Sequence, residues 1–124
     1  MKILVVEDEV CIRSFIKEYL ELEGFLCFEA KNGKEAKKLI LNGLSFDAII
    51  SDNNMPGMTG VELNIFLQSI NDKTPFILCS ADESLIEPES RCRLKLLAFF
   101  EKPCRLEEIS CLLKEIANEN TSVA

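Results

Sequence analysis

The chain has 124 residues, of which 48% are hydrophobic and 28% charged, a composition typical of one globular domain with its own core. Its net charge of −7 argues against direct binding to nucleic acid, which requires a basic surface. No apolar stretch is long enough to cross a bilayer and no secretory leader opens the sequence, so we expect a cytoplasmic protein.

The first half of the chain alternates apolar runs with segments of helical period. Apolar residues from Ile12 to Leu20 recur every three or four positions and predict a helix that ends near Gly24. Asn32, with Glu35 three positions later, is a capping signal for a second helix. Strands are predicted around these helices at residues 3–6, 25–30 and 46–51.

The second half continues the same alternation. Thr59-x-x-Glu62 is a capping box that opens a third helix, and the apolar stripe from Leu106 to Ile116 predicts the last one. Pro88 disfavours a helix before it, so we expect a short helix from about Glu89. Further strands are predicted at residues 75–79 and 97–101.

Five uniformly apolar strands alternating with five helices predict an α/β fold, a doubly wound parallel sheet covered by helices on both faces. We expect one domain over residues 1–118 and a disordered polar tail over residues 119–124.

Six cysteines and the absence of histidine restrict the possible chemistry. The cysteines lack the paired spacing of a zinc site, although four cysteines could formally bind zinc. Several lie in apolar periodic segments, so we expect reduced thiols that are buried in the core. Cysteine–histidine catalysis is excluded because there is no histidine.

Polar residues follow four of the predicted strands where each strand ends. They are Glu7 and Asp8, Asp52, Ser80 and Lys102. All strands of a parallel sheet point the same way, so these side chains should meet at the edge where doubly wound folds bind ligands. Each residue alone could be a solvated loop or cap residue. Three crowded carboxylates repel one another, however, and a hard divalent cation such as Mg²⁺ would hold them together.

The loop after Asp52 supports a site at this position. Met55-Pro56-Gly57 has the residue order of a type II turn, which would keep the backbone near the carboxylate and let the Asn54 carbonyl face a metal ion. A tight connection between strand and helix would also explain the proline and glycine. It would not explain an aspartate at the end of a buried strand.

Four segments together resemble the receiver domains of two-component response regulators, and are similar to single-domain chemotaxis-type regulators. The segments are "ILVVEDE", "DAIISDNNMPGMTG", "FILCSA" and "FFEKP", and the likeness extends from Lys2 to about Ile116. The resemblance implies a flavodoxin-like sheet with strand order 2-1-3-4-5.

The resemblance also implies roles for individual residues. Asp52 matches the aspartate that accepts a phosphoryl group, and Lys102 matches the lysine that pairs with the phosphoryl oxygens. Asp8 and Asp52, with the main-chain carbonyl of Asn54, match the ligands of Mg²⁺, and Glu7 is expected to act on the metal through water. The Lys102–Pro103 peptide bond is expected to be cis.

The same resemblance implies a switch. Ser80 matches the residue that bonds the phosphoryl group, and Phe99 matches the aromatic switch position, although a permanently buried aromatic is an equally good interpretation of Phe99. Asn54 and Asp82 match the two positions that tune phosphoryl lifetime, and their polar side chains predict a short-lived phosphorylated state.

The expected function is therefore that of a phosphoacceptor switch rather than a turnover enzyme. Its donor would be a histidine kinase or histidine phosphotransfer protein, and its output would pass to a separate effector protein. Two alternatives remain open at this point. One is a receiver-like interaction module that works without phosphorylation. The other is a Mg²⁺-dependent phosphatase, which is disfavoured because Asn54 stands where a general acid would be needed.

Overall fold

The computed structural model describes residues 1–81 and 93–122, with side chains described up to residue 118. The strands are β1 (Lys2–Val6), β2 (Leu26–Ala30), β3 (Ala48–Asp52), β4 (Phe76–Ser80) and β5 (Ala98–Glu101). The helices in the described part are α1 (Val10–Leu22), α2 (Gly33–Leu41), α3 (Gly60–Ser69) and α4 (Leu106–Ser122). The helix expected from about Glu89 lies outside the described residues.

The five strands form one parallel sheet in the order β2-β1-β3-β4-β5. This order confirms the predicted doubly wound, flavodoxin-like fold. β3 and β4 are buried along their whole length and β1 is buried after Lys2, as expected for strands with helices on both faces. Asp52 is the last residue of β3, so this strand ends one residue later than predicted.

Two core clusters lie on opposite faces of the sheet. On one face, α1 and α4 pack on the sheet through Leu20, Ile109 and Leu113. On the other face, Ala36 of α2 and Leu63 of α3 pack on the alternate strand residues. The two-sided burial agrees with the uniformly apolar strands in the sequence. No helix in the described part of the chain is long and apolar enough to span a membrane.

Both predicted capping signals form. Asn32 Oδ1 accepts a hydrogen bond from the backbone N–H of Glu35 (2.8 Å), and Thr59 and Glu62 form a reciprocal capping box at the start of α3. Gly57 has φ +83°, the left-handed conformation that a type II turn requires at this position.

Gly60 lets α3 begin in contact with the end of β3. A Cβ atom at this position would lie 2.6 Å from the carbonyl oxygen of Asp52 and 2.6 Å from Leu78 Cδ1, closer than packed atoms approach. The absence of a side chain therefore sets how closely the first turn of α3 approaches Asp52.

The structure corrects two expectations. The backbone of α4 is helical to Ser122, whereas the sequence analysis predicts a disordered tail from residue 119. Polar residues can continue the helical hydrogen-bond pattern once a packed helix has formed. The five described cysteines are free, as expected, but Cys11 and Cys111 are exposed rather than buried, because they lie on the solvent sides of α1 and α4.

Candidate phosphoryl-acceptor site

The carboxyl edge of the sheet gathers the predicted polar residues. Asp52 and Ser80 end β3 and β4, Glu7 directly follows β1, and Lys102 directly follows β5. Lys102 Nζ lies 3.0 Å from Asp52 Oδ1 and 3.3 Å from Glu7 Oε2. Side chains from three separate segments therefore meet in one place, and Ser80 ends the strand that lies between Asp52 and Lys102.

Three carboxylates in this group are close enough to share a cation. Glu7, Asp8 and Asp52 each offer one oxygen, and these oxygens all lie within 4.8 Å of one another. Glu7 is 3% exposed and Asp52 4%, so two of the three acids have little water around them. Among the described residues the ammonium of Lys102 contacts both buried acids, and it cannot neutralise three carboxylates alone.

The crowding changes the protonation of Glu7. Its pKa is raised to about 7, first because the carboxyl is buried and then because the negative charge of Asp52 is close. Lys102 and the backbone N–H of Glu9 offset part of this effect. For Lys102, burial lowers the pKa, but contact with Asp52 and the charge of Glu7 outweigh it, so that the pKa is raised overall.

Asp52 Oδ1 is a buried oxygen that contacts the ammonium of Lys102 at 3.0 Å. A carboxylate oxygen has more than one lone pair, so this atom can also contact a metal ion. Carboxylate oxygens are the ligands that Mg²⁺ prefers, and the set of three acids fits that ion.

Lys102 is held in position by its own backbone. Its N–H donates to the carbonyl oxygen of Ser80 (2.8 Å), which continues the pairing of β4 with β5 by one residue. The Lys102–Pro103 peptide bond is cis, as expected. Its side chain is 28% exposed, so that the ammonium lies at the boundary between solvent and the buried acids.

The two expected switch residues are both found near the edge. Ser80 is fully buried at the end of β4. Phe99 lies opposite Leu78 in the register of β4 and β5, is half-buried, and packs against the core cluster that contains α2 and α3. This position is compatible with either interpretation of Phe99. The predicted lifetime residue Asp82 lies outside the described residues.

Asn54 is exposed in the loop after β3, whereas its neighbour Asn53 is buried. Asn53 Oδ1 accepts a hydrogen bond from the N–H of Val61 (3.1 Å), and the Asn53 N–H donates to the carbonyl of Cys79 (2.9 Å). Asn53 thus ties the loop to both α3 and β4. No local sequence signal reveals this role, because Thr59 occupies the N-cap position of α3 and Asn53 lies in the loop well before it.

Arg13 is a second residue that the sequence analysis missed. Its Nη1 donates to the carbonyl oxygen of Glu7 (2.7 Å), and its Nε donates to Glu29 Oε1 (3.2 Å). Arg13 therefore holds the backbone that carries two of the acids. No local sequence signal reveals this contact, because it depends on how α1 packs beside β2.

Comparison with known proteins agrees with the geometry of the site. Residues 3–114 match the family model of the response regulator receiver domain. The chain is 30% identical to sporulation initiation phosphotransferase F of Bacillus subtilis (strain 168), and the match covers 92% of this chain and 91% of that protein. It covers only about half the length of other curated relatives, at 52% of one and 50% of another.

Solved structures give the same result. The receiver domain of Francisella response regulator 1452 is similar with a TM-score of 0.85 and 31% identity, covering 96% of this chain and 98% of that chain. The response regulator TrrA of Thermotoga maritima, in complex with Mg(2+)-BeF, has a TM-score of 0.80 and 30% identity, covering 93% of this chain and 97% of that chain.

Proposed function

The chain belongs to the response regulator receiver domains of two-component systems, and on that premise we propose that Asp52 accepts a phosphoryl group in a Mg²⁺-dependent reaction. One observation carries the proposal. Asp52 is buried at the end of β3, with Lys102 Nζ 3.0 Å from its Oδ1 and the carboxylates of Glu7 and Asp8 close enough to share a cation with it.

Phosphoryl transfer requires an oxygen nucleophile in line with the leaving group and positive charge near the equatorial oxygens. Asp52 supplies the nucleophile through a carboxylate oxygen that lies beside the ammonium of Lys102. Lys102 supplies positive charge and would follow the phosphoryl oxygens after transfer, exchanging its contact with the carboxylate for one with the new group. The transfer forms a bond between a carboxylate oxygen of Asp52 and phosphorus, while the bond between phosphorus and the donor's histidine nitrogen breaks and the donor leaves.

Asp8 and Asp52 would hold Mg²⁺ together with the main-chain carbonyl of Asn54, and Glu7 would contribute through water. A bound Mg²⁺ supplies charge that offsets the repulsion between carboxylate and phosphoryl oxygens. The clustering of three carboxylates within 4.8 Å, two of them buried, supports this assignment.

We assign the response to phosphorylation to Ser80 and Phe99. The hydroxyl of Ser80 would bond the phosphoryl group, and Phe99 would repack on the face formed around β5. Asn54 and Asp82 would tune the lifetime of the acyl phosphate, and we expect it to be short because polar side chains can orient an attacking water.

The protein would receive its phosphoryl group from a histidine kinase or a histidine phosphotransfer protein and act on a separate effector protein. The chain contains no histidine, so it can receive but cannot pass the group on through an imidazole of its own. We place this activity in the cytoplasm. We describe residues 1–118 as a phosphoacceptor switch that performs no turnover of other substrates.

The test is incubation with Mg²⁺ and acetyl phosphate, followed by intact mass measurement. We expect one acid-stable, base-labile phosphate on the wild-type protein and none on Asp52→Asn. Asp47→Asn, the same substitution just before the other end of β3, is the matched control and should still be labelled. Absence of any adduct on the wild type would overturn the proposal and favour a phosphorylation-independent module. Steady hydrolysis of unrelated phosphoesters would favour a phosphatase.

A further inference from the structure

Arg13 connects helix α1 to the backbone at the carboxyl ends of β1 and β2. Its Nη1 donates to the carbonyl oxygen of Glu7 (2.7 Å), and its Nε donates to Oε1 of Glu29 in β2 (3.2 Å). The Arg13 side chain is 15% exposed, so both contacts are largely shielded from water. One guanidinium thus joins two neighbouring strands beside the three clustered acids.

The helix itself gives no reason for an arginine at this position. α1 begins at Val10, and its N-cap residue Glu9 makes no side-chain cap. Arg13 lies close to this helix N-terminus, where the helix dipole disfavours a cation. Helical side chains lean toward the N-terminus, however, so the guanidinium can reach back to Glu7. Arginine therefore contributes here through its contacts and not through the stability of α1.

The carbonyl that Arg13 binds belongs to the peptide unit that joins Glu7 to Asp8. A peptide unit is planar, so an anchored carbonyl oxygen also fixes the direction in which the chain enters Asp8. The preceding peptide is held as well, because the N–H of Glu7 donates to the carbonyl oxygen of Ala30 (3.1 Å). The backbone is thus fixed on both sides of Glu7, where it presents two of the three clustered carboxylates.

Glu29 determines which groups the charge of Arg13 meets. Its Oε1 accepts the hydrogen bond from Nε, and its Oε2 lies 3.7 Å from Nζ of Lys17, one turn further along α1. The guanidinium is therefore paired with an acid outside the cluster and contacts the site through an uncharged carbonyl. A guanidinium paired with the clustered acids would instead compete with a divalent cation for them.

We propose that Arg13 is a positioning residue for the Mg²⁺ site: it holds Asp8 in binding geometry through the Glu7 carbonyl, and Glu29 anchors it. The proposal rests on the function proposed above, because that function requires the acids to bind Mg²⁺. Side chains that orient metal ligands without touching the metal commonly contribute about 10- to 100-fold to its affinity.

The sign of the effect separates positioning from simple electrostatics. Removal of a positive charge near an acidic site strengthens the binding of a cation by Coulomb attraction alone. Loss of positioning weakens binding, because the segment that carries Asp8 must then be ordered at the moment of binding. Arg13→Met should therefore bind Mg²⁺ about tenfold more weakly, although the change in charge favours the metal.

The first experiment titrates the whole protein with magnesium chloride by isothermal calorimetry, without a phosphodonor. We expect Arg13→Met to raise the Kd by about tenfold. Arg13→Lys should restore part of the affinity, because an ammonium can donate to the Glu7 carbonyl but lacks the fork that reaches Glu29 at the same time. If Arg13→Met does not fold, Arg13→Lys against the wild type decides, with a higher Kd expected.

Lys17→Met is the matched control for this titration. It removes a positive charge from the same helix and from the same partner, Glu29, but from a side chain whose ion pair does not involve the Glu7 carbonyl. Its Kd for Mg²⁺ should stay equal or fall. The proposal is overturned if Arg13→Met binds Mg²⁺ as tightly as the wild type or more tightly.

Glu29→Gln tests the anchor. It should weaken Mg²⁺ binding less than Arg13→Met, and the double variant should bind no more weakly than Arg13→Met alone, because both changes act through one contact. Additive losses would overturn the role of Glu29. Urea unfolding in EDTA gives the separate effect on stability. A lower free energy of unfolding in Arg13→Met with an unchanged Kd would show a purely structural arginine and reject positioning.

The second experiment measures phosphorylation by acetyl phosphate at increasing Mg²⁺. In Arg13→Met the Mg²⁺ concentration that gives the half-maximal rate should rise about tenfold, in step with the Kd, while the rate at saturating Mg²⁺ stays close to that of the wild type. A lower maximal rate with unchanged Mg²⁺ dependence would overturn the proposal. If the wild type binds Mg²⁺ in the calorimeter but is never labelled, the phosphoacceptor function fails and the calorimetric result for Arg13 stands. If the wild type binds no Mg²⁺, both fail.

Discussion

Lys102 Nζ lies 3.0 Å from Asp52 Oδ1, although Asp52 ends β3 and Lys102 follows β5, two strands that are separated in the sheet by β4. The lysine side chain reaches across the end of β4 to form this ion pair, and it also lies 3.3 Å from Glu7 Oε2. One ammonium therefore connects the ends of β1, β3 and β5. The four predictions that follow test what this arrangement implies for stability, metal binding and phosphoryl transfer.

Replacement of Lys102 by methionine should destabilise the protein without Mg²⁺ by about 2 kcal/mol at pH 8, because two buried carboxylates lose their cation. Urea unfolding in EDTA measures the change. Lys114→Met is the matched control, since its ion pair with Glu23 is largely exposed and should be worth less than about 1 kcal/mol. Equal losses in the two variants would show that Lys102 does not stabilise the buried acids.

Stability without Mg²⁺ should fall as the pH rises from about 4.5 to 7. The pKa of Glu7 is raised to about 7 in the folded protein from 4.5, so in this interval the folded state binds more protons than the unfolded state. Over this interval the free energy of unfolding should fall by on the order of 2 kcal/mol, and the fall should be complete near pH 7 to 8.

Glu7→Gln is the direct control for this pH dependence. The variant should lose most of the decrease between pH 4.5 and 7, because its amide does not titrate. Urea unfolding at several pH values in EDTA provides the comparison. If the variant and the wild type show the same slope, another group is responsible.

Mg²⁺ should raise the melting temperature in a saturable manner, because binding to the folded state alone adds about 2.7 kcal/mol at 100 times Kd. Asp8→Asn should lose most of this gain, since Asp8 belongs to the group of three carboxylates. The control is Glu9→Gln at the adjacent exposed residue, whose side chain does not cap α1. An equal stabilisation by sodium chloride at matched ionic strength would argue against a specific site.

Gly60→Ala should both destabilise the fold and slow phosphorylation by acetyl phosphate. The added Cβ would lie 2.6 Å from the Asp52 carbonyl oxygen, so α3 or the end of β3 must move, at a cost of about 1–3 kcal/mol. Gly43→Ala is the control. Its φ of +92° makes alanine unfavourable by roughly 1 kcal/mol, but no atom lies within 4 Å of the new Cβ, and the rate of phosphorylation should not change. A normal rate in Gly60→Ala would show that the position of Asp52 tolerates this shift.

The fold was predictable because its signals are local. Apolar runs and the capping residues Asn32 and Thr59 mark the strands to within two residues and the starts of α2 and α3, whereas the end of α4 was placed several residues too early. The parallel arrangement follows from strands that are buried on both faces. Membership in the receiver family was predictable for a related reason. The polar residues at the strand ends are recognisable without knowledge of the side-chain geometry.

The contacts between distant segments were not predictable. Arg13 reaches the Glu7 carbonyl only because α1 packs beside β2, and Asn53 is buried while Asn54 is exposed because the loop turns between them. The exposure of Cys11 and Cys111 depends in the same way on which side of each helix meets the sheet. The expectation of buried cysteines was therefore wrong for these two.

The strand order makes the charged site depend on assembly of the whole sheet. Glu7 and Lys102 come from opposite ends of the chain, and their carboxylate and ammonium meet only when the central strands have assembled between them. A nascent or partly denatured chain therefore lacks the complete set of charges. Under the proposed function, the ability of Asp52 to accept a phosphoryl group is thus tied to completion of the native sheet.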